Sequence, residues 1–198
     1  MTIDTEGKHF ELGDCRIDIL VTGYPGRSVC HGSLGWSTIA LVRRGERVAL
    51  MDVGSFGQRT LLLEQLEAHG LRPEDVTDLL LSHSHHDPAI NWPLFPHARI
   101  VLGDVDLDWA LEQPWGVTPV PELYVKELDR WPTLHRAGDG EAVFPGITAH
   151  LTPGHTPGSL VYVLDAGGRD VVFTGDACKN RAELLSRRAD MSYDAAVS

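Results

Sequence analysis

Leu79-Leu80-Leu81-Ser82-His83-Ser84-His85-His86-Asp87-Pro88-Ala89-Ile90-Asn91-Trp92-Pro93 is the stretch that decides the fold. Leu79 to Leu81 is a short apolar run of the kind that forms a buried strand. It empties into three imidazoles and a carboxylate within five positions, after which Asn91-Trp92-Pro93 signals loop. Imidazole and carboxylate together are a ligand set for zinc, iron or manganese. In an extended segment His83 and His85 point the same way and Ser84 faces away, so both histidines can hold one ion. A merely solvated loop has no physical need of such a cluster.

Upstream, Cys15 to Val21 alternates apolar and polar residues as a half-buried strand does. Gly23 to Trp36 reads as a long irregular loop. Tyr24, His31 and Trp36 make it a candidate substrate loop, and a structural Ω-loop fits the same composition. Ser37 to Val42 and Arg47 to Val53 flank Arg43-Arg44-Gly45-Glu46 as a hairpin, whose second strand stops at Asp52-Val53-Gly54. Gly57 to His69 carries Leu61, Leu62, Leu63 and Leu66 on a helical face, closed by Gly70. Pro73-Glu74-Asp75 then turns the chain towards Leu79.

Downstream, Ala98 to Leu102 reads as a strand, and Asp104 to Glu112 and Pro121 to Leu128 read as short helices. Trp109, Trp115, Tyr124 and Trp131 in this region serve either packing or a ligand pocket. Ile147 to Leu151, Ser159 to Leu164 and Asp170 to Thr174 are further strands, and Arg181 to Arg188 starts a helix. Without an internal repeat, a low-complexity run or a linker, residues 1–198 read as one domain.

The formal net charge is -11, from 17 Lys and Arg against 28 Asp and Glu. Tracking phosphates takes clustered basic residues, and the densest groups here are the isolated pairs Arg43-Arg44 and Arg187-Arg188. Nucleic acid is therefore not the expected partner. Cys15, Cys30 and Cys178 show no CxxC spacing, which argues against a disulfide framework or a thiolate metal site. The polar start MTIDTEGKHFELGD predicts no signal peptide, and no apolar run approaches the ~18 residues a membrane span needs. A cytoplasmic protein without a membrane association is expected.

Three strand ends carry polar clusters: His83-Ser84-His85-His86-Asp87, then Thr152-Pro153-Gly154-His155-Thr156-Pro157-Gly158, then Thr174-Gly175-Asp176. His155 would complete a tris-histidine site with water in the open position. Such an ion brings the pKa of bound water towards about 7 and so generates hydroxide as the nucleophile.

Together with Asp52-Val53-Gly54, these motifs resemble the metallo-β-lactamase superfamily, in the family's order and over nearly the whole chain. The resemblance implies an α/β protein with a four-layer αββα sandwich and metals at the sheet ends. It implies that His83, His85 and His155 hold a first metal, that Asp87 serves a second metal or acts as a base, and that Asp176 bridges the two. One or two zinc ions are the implied cofactor, with iron or manganese also compatible.

Two departures qualify the match. The family motif continues His-x-His-x-Asp-His, whereas Pro88 here has no ligand atom. No histidine follows His155, and the family's C-terminal strand and helix are not expected before Ser198. Asp87 and Asp176 alone make a weak second site. Three routes stay open: His86 substitutes, although an extended segment points it the other way; one metal suffices, with Asp87 as general base; or a second protein chain completes the fold and the second site. The last is similar to the split two-chain members of the family such as dinitroanisole O-demethylase, and implies hydrolysis of a nitroaryl methyl ether. A lactone or ester hydrolase of the homoserine-lactonase type is the first alternative. A non-catalytic scaffold subunit with a decayed second site is the other.

Overall fold

The computed structural model describes residues 9–24, 26–28, 32–33 and 35–188. His9–Leu12 (β1) and Cys15–Val21 (β2) form a hairpin, and Arg27–Ser28 (β3) pairs with Gly32–Ser33 (β4) as a short ribbon. Ile39–Arg44 (β5) and Arg47–Met51 (β6) form the expected hairpin, turning at Gly45 with φ 60°. Arg59–Ala68 (α1), Asp78–Leu80 (β7) and the single turn His86–Ala89 (α2) come next. Arg99–Gly103 (β8), Asp104–Leu111 (α3), Glu122–Leu128 (α4) and Leu134–Ala137 (β9) follow. Glu141–Phe144 (β10), Ile147–Leu151 (β11), Leu160–Asp165 (β12), Asp170–Phe173 (β13) and Arg181–Ser186 (α5) complete the order.

The strands form a seven-stranded sheet, β1-β2-β5-β6-β7-β8-β9, and a four-stranded sheet, β10-β11-β12-β13. The large sheet is antiparallel from β1 to β6 and parallel from β6 to β9. Its central strands are apolar on both faces because both are covered. Leu41, Leu50, Leu79 and Ile100 point to one side, where Leu62 and Leu66 of α1, Leu107 of α3 and Val125 of α4 pack on them. Ala40, Val42, Ala49, Met51, Leu80 and Val101 point to the other, against Ala149, Leu160, Tyr162 and Leu164 of the small sheet. Period-2 alternation thus builds a helix layer and two face-to-face sheets around shared strands. On the outer face of the small sheet, Thr148, Val163 and Val172 stand in one cross-strand row, and Val172 is 49% exposed.

Five strands are not expected from the sequence, and β3 and β4 form their short ribbon inside the stretch read as an irregular loop. β1 lies in the polar amino-terminal stretch, and β9 and β10 lie in Leu134 to Phe144, where short mixed-polarity segments are broken by Gly138 and Gly140. Their pairing comes from neighbours already in place: β9 adds in parallel to β8, and β10 turns back on β11. The loop after β2 is closed by reciprocal backbone bonds between Tyr24 and Trp36 at 2.9 and 3.0 Å. His31 and Cys30 lie outside the described residues. Among the described residues, no helix is long and apolar enough to cross a membrane.

Candidate metal centre

The polar clusters meet at one end of the two sheets. β6 leads into Asp52 and β7 into Ser82 to His85, while the β11–β12 connection brings His155 and the end of β13 brings Asp176. Tyr162 of the small sheet donates its hydroxyl to the Leu81 carbonyl at 2.7 Å, tying that sheet to the histidine-bearing segment. Gly175, at φ 49°, sits so close to Ser82 that a Cβ would lie 2.6 Å from the serine's own Cβ.

His83 Nε2 lies 3.1 Å from His85 Nδ1, which lies 3.0 Å from His155 Nε2. The ring planes are nearly perpendicular, at 79° to 84°. Three imidazole nitrogens so close, on rings that do not stack, fit the spacing around a tetrahedral ion with ~2.0–2.1 Å bonds. Burial, followed by the charges of neighbouring histidines, lowers the His83 pKa well below its ordinary value and brings His85 down to about 2. Both rings therefore stay neutral and keep lone pairs available for an ion.

Behind His83 stands a relay. Ser82 Oγ lies 2.9 Å from His83 Nδ1 and 2.9 Å from Asp52 Oδ2, and the Ser82 N–H donates to Asp52 Oδ1 at 2.7 Å. With Asp52 ionised, the hydroxyl donates to the carboxylate and accepts the Nδ1 proton, which leaves Nε2 bare towards the other imidazoles. Asp52 adopts φ 58°, an uncommon backbone conformation for a side-chain-bearing residue. Burial pushes its pKa up to about 8 against the Ser82 hydrogen bonds, and the Asp176 and Asp87 charges add to the rise.

Of the other expected ligands, Asp176 Oδ2 lies 3.3 Å from His155 Nε2, beside the imidazole cluster. Asp87 accepts a 3.4 Å hydrogen bond from Ser37 Oγ, and burial followed by the Asp176 charge raises its pKa. The site thus brings His83, His85, His155 and Asp176 together, with Asp87 within electrostatic reach. The segment is not extended past His85: α2 starts at His86, which turns its side chain to the exposed rim. His86 is absent from the imidazole cluster for that reason. Pro88 is buried in α2 and its carbonyl accepts from Val53 N–H at 2.7 Å, so this position serves the backbone.

A cleft of about 800 Å³ opens from the cluster. Tyr24, Trp36, Trp109, Ile19 and Phe173 are among its walls, with His85, Asp87, His155 and Asp176 at the polar end. Tyr24 and Trp36 have ring centroids 5.2 Å apart, and Trp109 meets His85 edge-on at 6.0 Å. The tryptophan-rich middle segment divides its work: Trp109 faces the cleft, whereas Trp131 packs on buried Trp92 at 4.9 Å.

A family model described as the metallo-beta-lactamase superfamily matches residues 35–196. The chain belongs to that superfamily. Metallo-beta-lactamase domain-containing protein 1 of Mus musculus is 32% identical over 114 residues, covering 57% of this chain and 44% of the relative. The chain spans about half the length of the curated relatives it matches. Among solved structures, a metallo-beta-lactamase of Thermotoga maritima superposes with a TM-score of 0.75 at 26% identity, over 87% of this chain and 84% of that one. The fold is shared with AidC, a dizinc quorum-quenching lactonase, at TM-score 0.67 and 22% identity, over 83% of this chain and 72% of that one. Superfamily membership accounts for the mixed sheets with an imidazole cluster at their ends. The residues that sequence reasoning left without a role are Ser82, Asp106 and Thr156, and only the folded contacts mark them.

Proposed function

We propose that this chain is a metal-dependent hydrolase of a small, uncharged, largely apolar lactone or ester. The observation that carries the reading is the buried imidazole cluster opening into an aromatic-walled cleft of about 800 Å³. His83, His85 and His155 would hold the ion, zinc being the expected one, with Asp176 as a further ligand. When bound, the metal supplies Lewis acidity that polarises a carbonyl and acidifies water. Asp87 orients the attacking water and takes its proton, a role its raised pKa suits. Trp109, Trp36 and Tyr24 receive the apolar part of the substrate and exclude water from it. The net charge of -11 supports a small uncharged substrate over a nucleic acid. The lactonase whose fold it shares supports the carbonyl chemistry.

The same aromatic walls also favour a second substrate reading, hydrolysis of an electron-poor aryl methyl ether, in which rings stack on the arene. The zinc-, manganese- or iron-loaded full chain assayed against acyl lactones, aryl esters and nitroaryl methyl ethers separates the two. Turnover of none of these, with metal bound, sinks both and favours the scaffold reading.

We also propose a second protein chain as partner, covering the outer row Thr148, Val163 and Val172 and the exposed Leu184 and Leu185 of α5. Exposed apolar faces of this kind favour a cover. A metal-loaded chain that sediments as a monomer and is fully active alone would sink that proposal.

A further inference from the structure

Asp106 sits in the first turn of α3, away from every motif, yet it is fully buried. Its Oδ1 accepts a hydrogen bond from Thr156 Oγ1, and Thr156 follows His155 directly. Thr156 is itself locked: its hydroxyl lies 2.6 Å from Ser159 Oγ, and its N–H donates to that same oxygen at 3.1 Å. The other side of the Asp106 carboxyl faces Ser84, between His83 and His85 in the chain. Burial raises the Asp106 pKa, opposed first by the Thr156 hydroxyl and then by Ser84. Backbone contact reinforces the arrangement. A Cβ on Gly158 would lie 2.0 Å from Asp106 N, so the His155 turn packs directly on the start of α3.

A buried carboxyl is costly, and this one sits where the turn carrying His155 packs on the start of α3. We infer that Asp106 is a positioning residue that clasps the Thr156 turn to α3 and so fixes His155 relative to His83 and His85. The inference rests on the metal-site reading above. Three imidazoles delivered by two separate loops form one site only if the loops keep their spacing. A displacement of a few tenths of an ångström in either loop changes bond lengths that an ion tolerates only within about 0.2 Å.

The test uses the full chain, stripped of metal and titrated with Co(II) alone. Its d–d absorption reports ligand number and geometry, which loss of general stability does not alter in a folded protein. Asp106→Ala and Thr156→Val should each weaken Co(II) binding by about 10-fold or more and shift the absorption bands. Asp106→Asn, which keeps an oxygen for Thr156, should restore affinity to within about threefold and restore the spectrum. Thr156→Val serves where Asp106→Ala does not fold. Wild-type affinity and spectrum in a folded Asp106→Ala or Thr156→Val chain would overturn the inference, as would an Asp106→Asn chain no better than Asp106→Ala. His83→Ala separates the two levels: unchanged Co(II) binding there overturns the metal-site reading itself, and the clasp with it.

Discussion

Asp52 and His83 share one hydroxyl: Ser82 Oγ stands 2.9 Å from the carboxylate of the first and 2.9 Å from Nδ1 of the second. The imidazole is thereby oriented from behind, at a residue the metal motif leaves unspecified. Replacing Ser82 with alanine removes that link and leaves the ligand itself in place. Metal affinity should fall about 10- to 100-fold, measured by competition with a chromogenic chelator. An unchanged affinity would show that packing alone orients His83.

The same carboxyl sets a pH dependence for the metal-free protein. Asp52 rises from 3.8 unfolded to about 8 folded, so between these values the folded state holds a proton that the unfolded state has released. Its contribution is fully present below about pH 4 and is lost as pH rises through about 8. His83 and His85 act in the opposite sense, since their folded pKa values are depressed: they cost stability as pH falls below their unfolded value of 6.5. Above pH 6.5 the histidine contribution is spent, and the Asp52 contribution continues to decline, with the raised carboxyls of Asp87 and Asp106 acting in the same direction. Chelator-treated protein should therefore lose thermal stability from pH 6.5 to 8, and Asp52→Asn should flatten that slope. A slope as steep in the variant as in the parent would assign it to other groups.

Removing an imidazole should remove the ion. His83→Ala, His85→Ala and His155→Ala are each expected to drop bound metal well below one per chain by elemental analysis. Hydrolysis should fall by at least ~10³-fold, as should that of the parent after dialysis against a chelator.

Asp87 should behave differently from the histidines. Asp87→Asn is expected to lower kcat by about 10² to 10⁴-fold while keeping one metal per chain, the result for a proton acceptor rather than a principal ligand. Loss of metal together with activity would make it a ligand of the histidine-held ion.

Truncating Trp109 to alanine should raise KM for long-chain substrates more than for acetyl esters, roughly 10-fold, with kcat nearly unchanged for both. Equal effects on long and short acyl groups would place the acyl chain elsewhere in the cleft.

Much of the candidate site was legible in the chain because its residues are chemically conspicuous. Imidazoles two apart at the end of a leucine run announce a buried strand and two rings brought side by side. Pro153-Gly154-His155 and Thr174-Gly175-Asp176 announce turns that deliver a ligand. The sheets were legible where strands are apolar, and illegible at β1 and β9 of the large sheet and β10 of the small one, whose pairing is supplied by neighbouring strands rather than by their own composition. The orientation of His86 follows from α2 starting one residue after His85, which no local periodicity announces. Asp106 is the hardest case. Asp104, Asp106 and Asp108 alternate along one segment, and only the packing of the His155 turn onto α3 decides which of the three is buried.

That packing also constrains how the cleft can change. Trp109, a wall of the cleft, and Asp106 belong to the same two turns of α3, so a substitution that tilts this helix to reshape the wall also displaces the turn carrying His155. Tyr24 and Trp36 line the cleft from the loop after β2, an element separate from α3. New substrate preferences should therefore be reached by altering the Tyr24–Trp36 side. Along α3, specificity and metal retention have to be selected together.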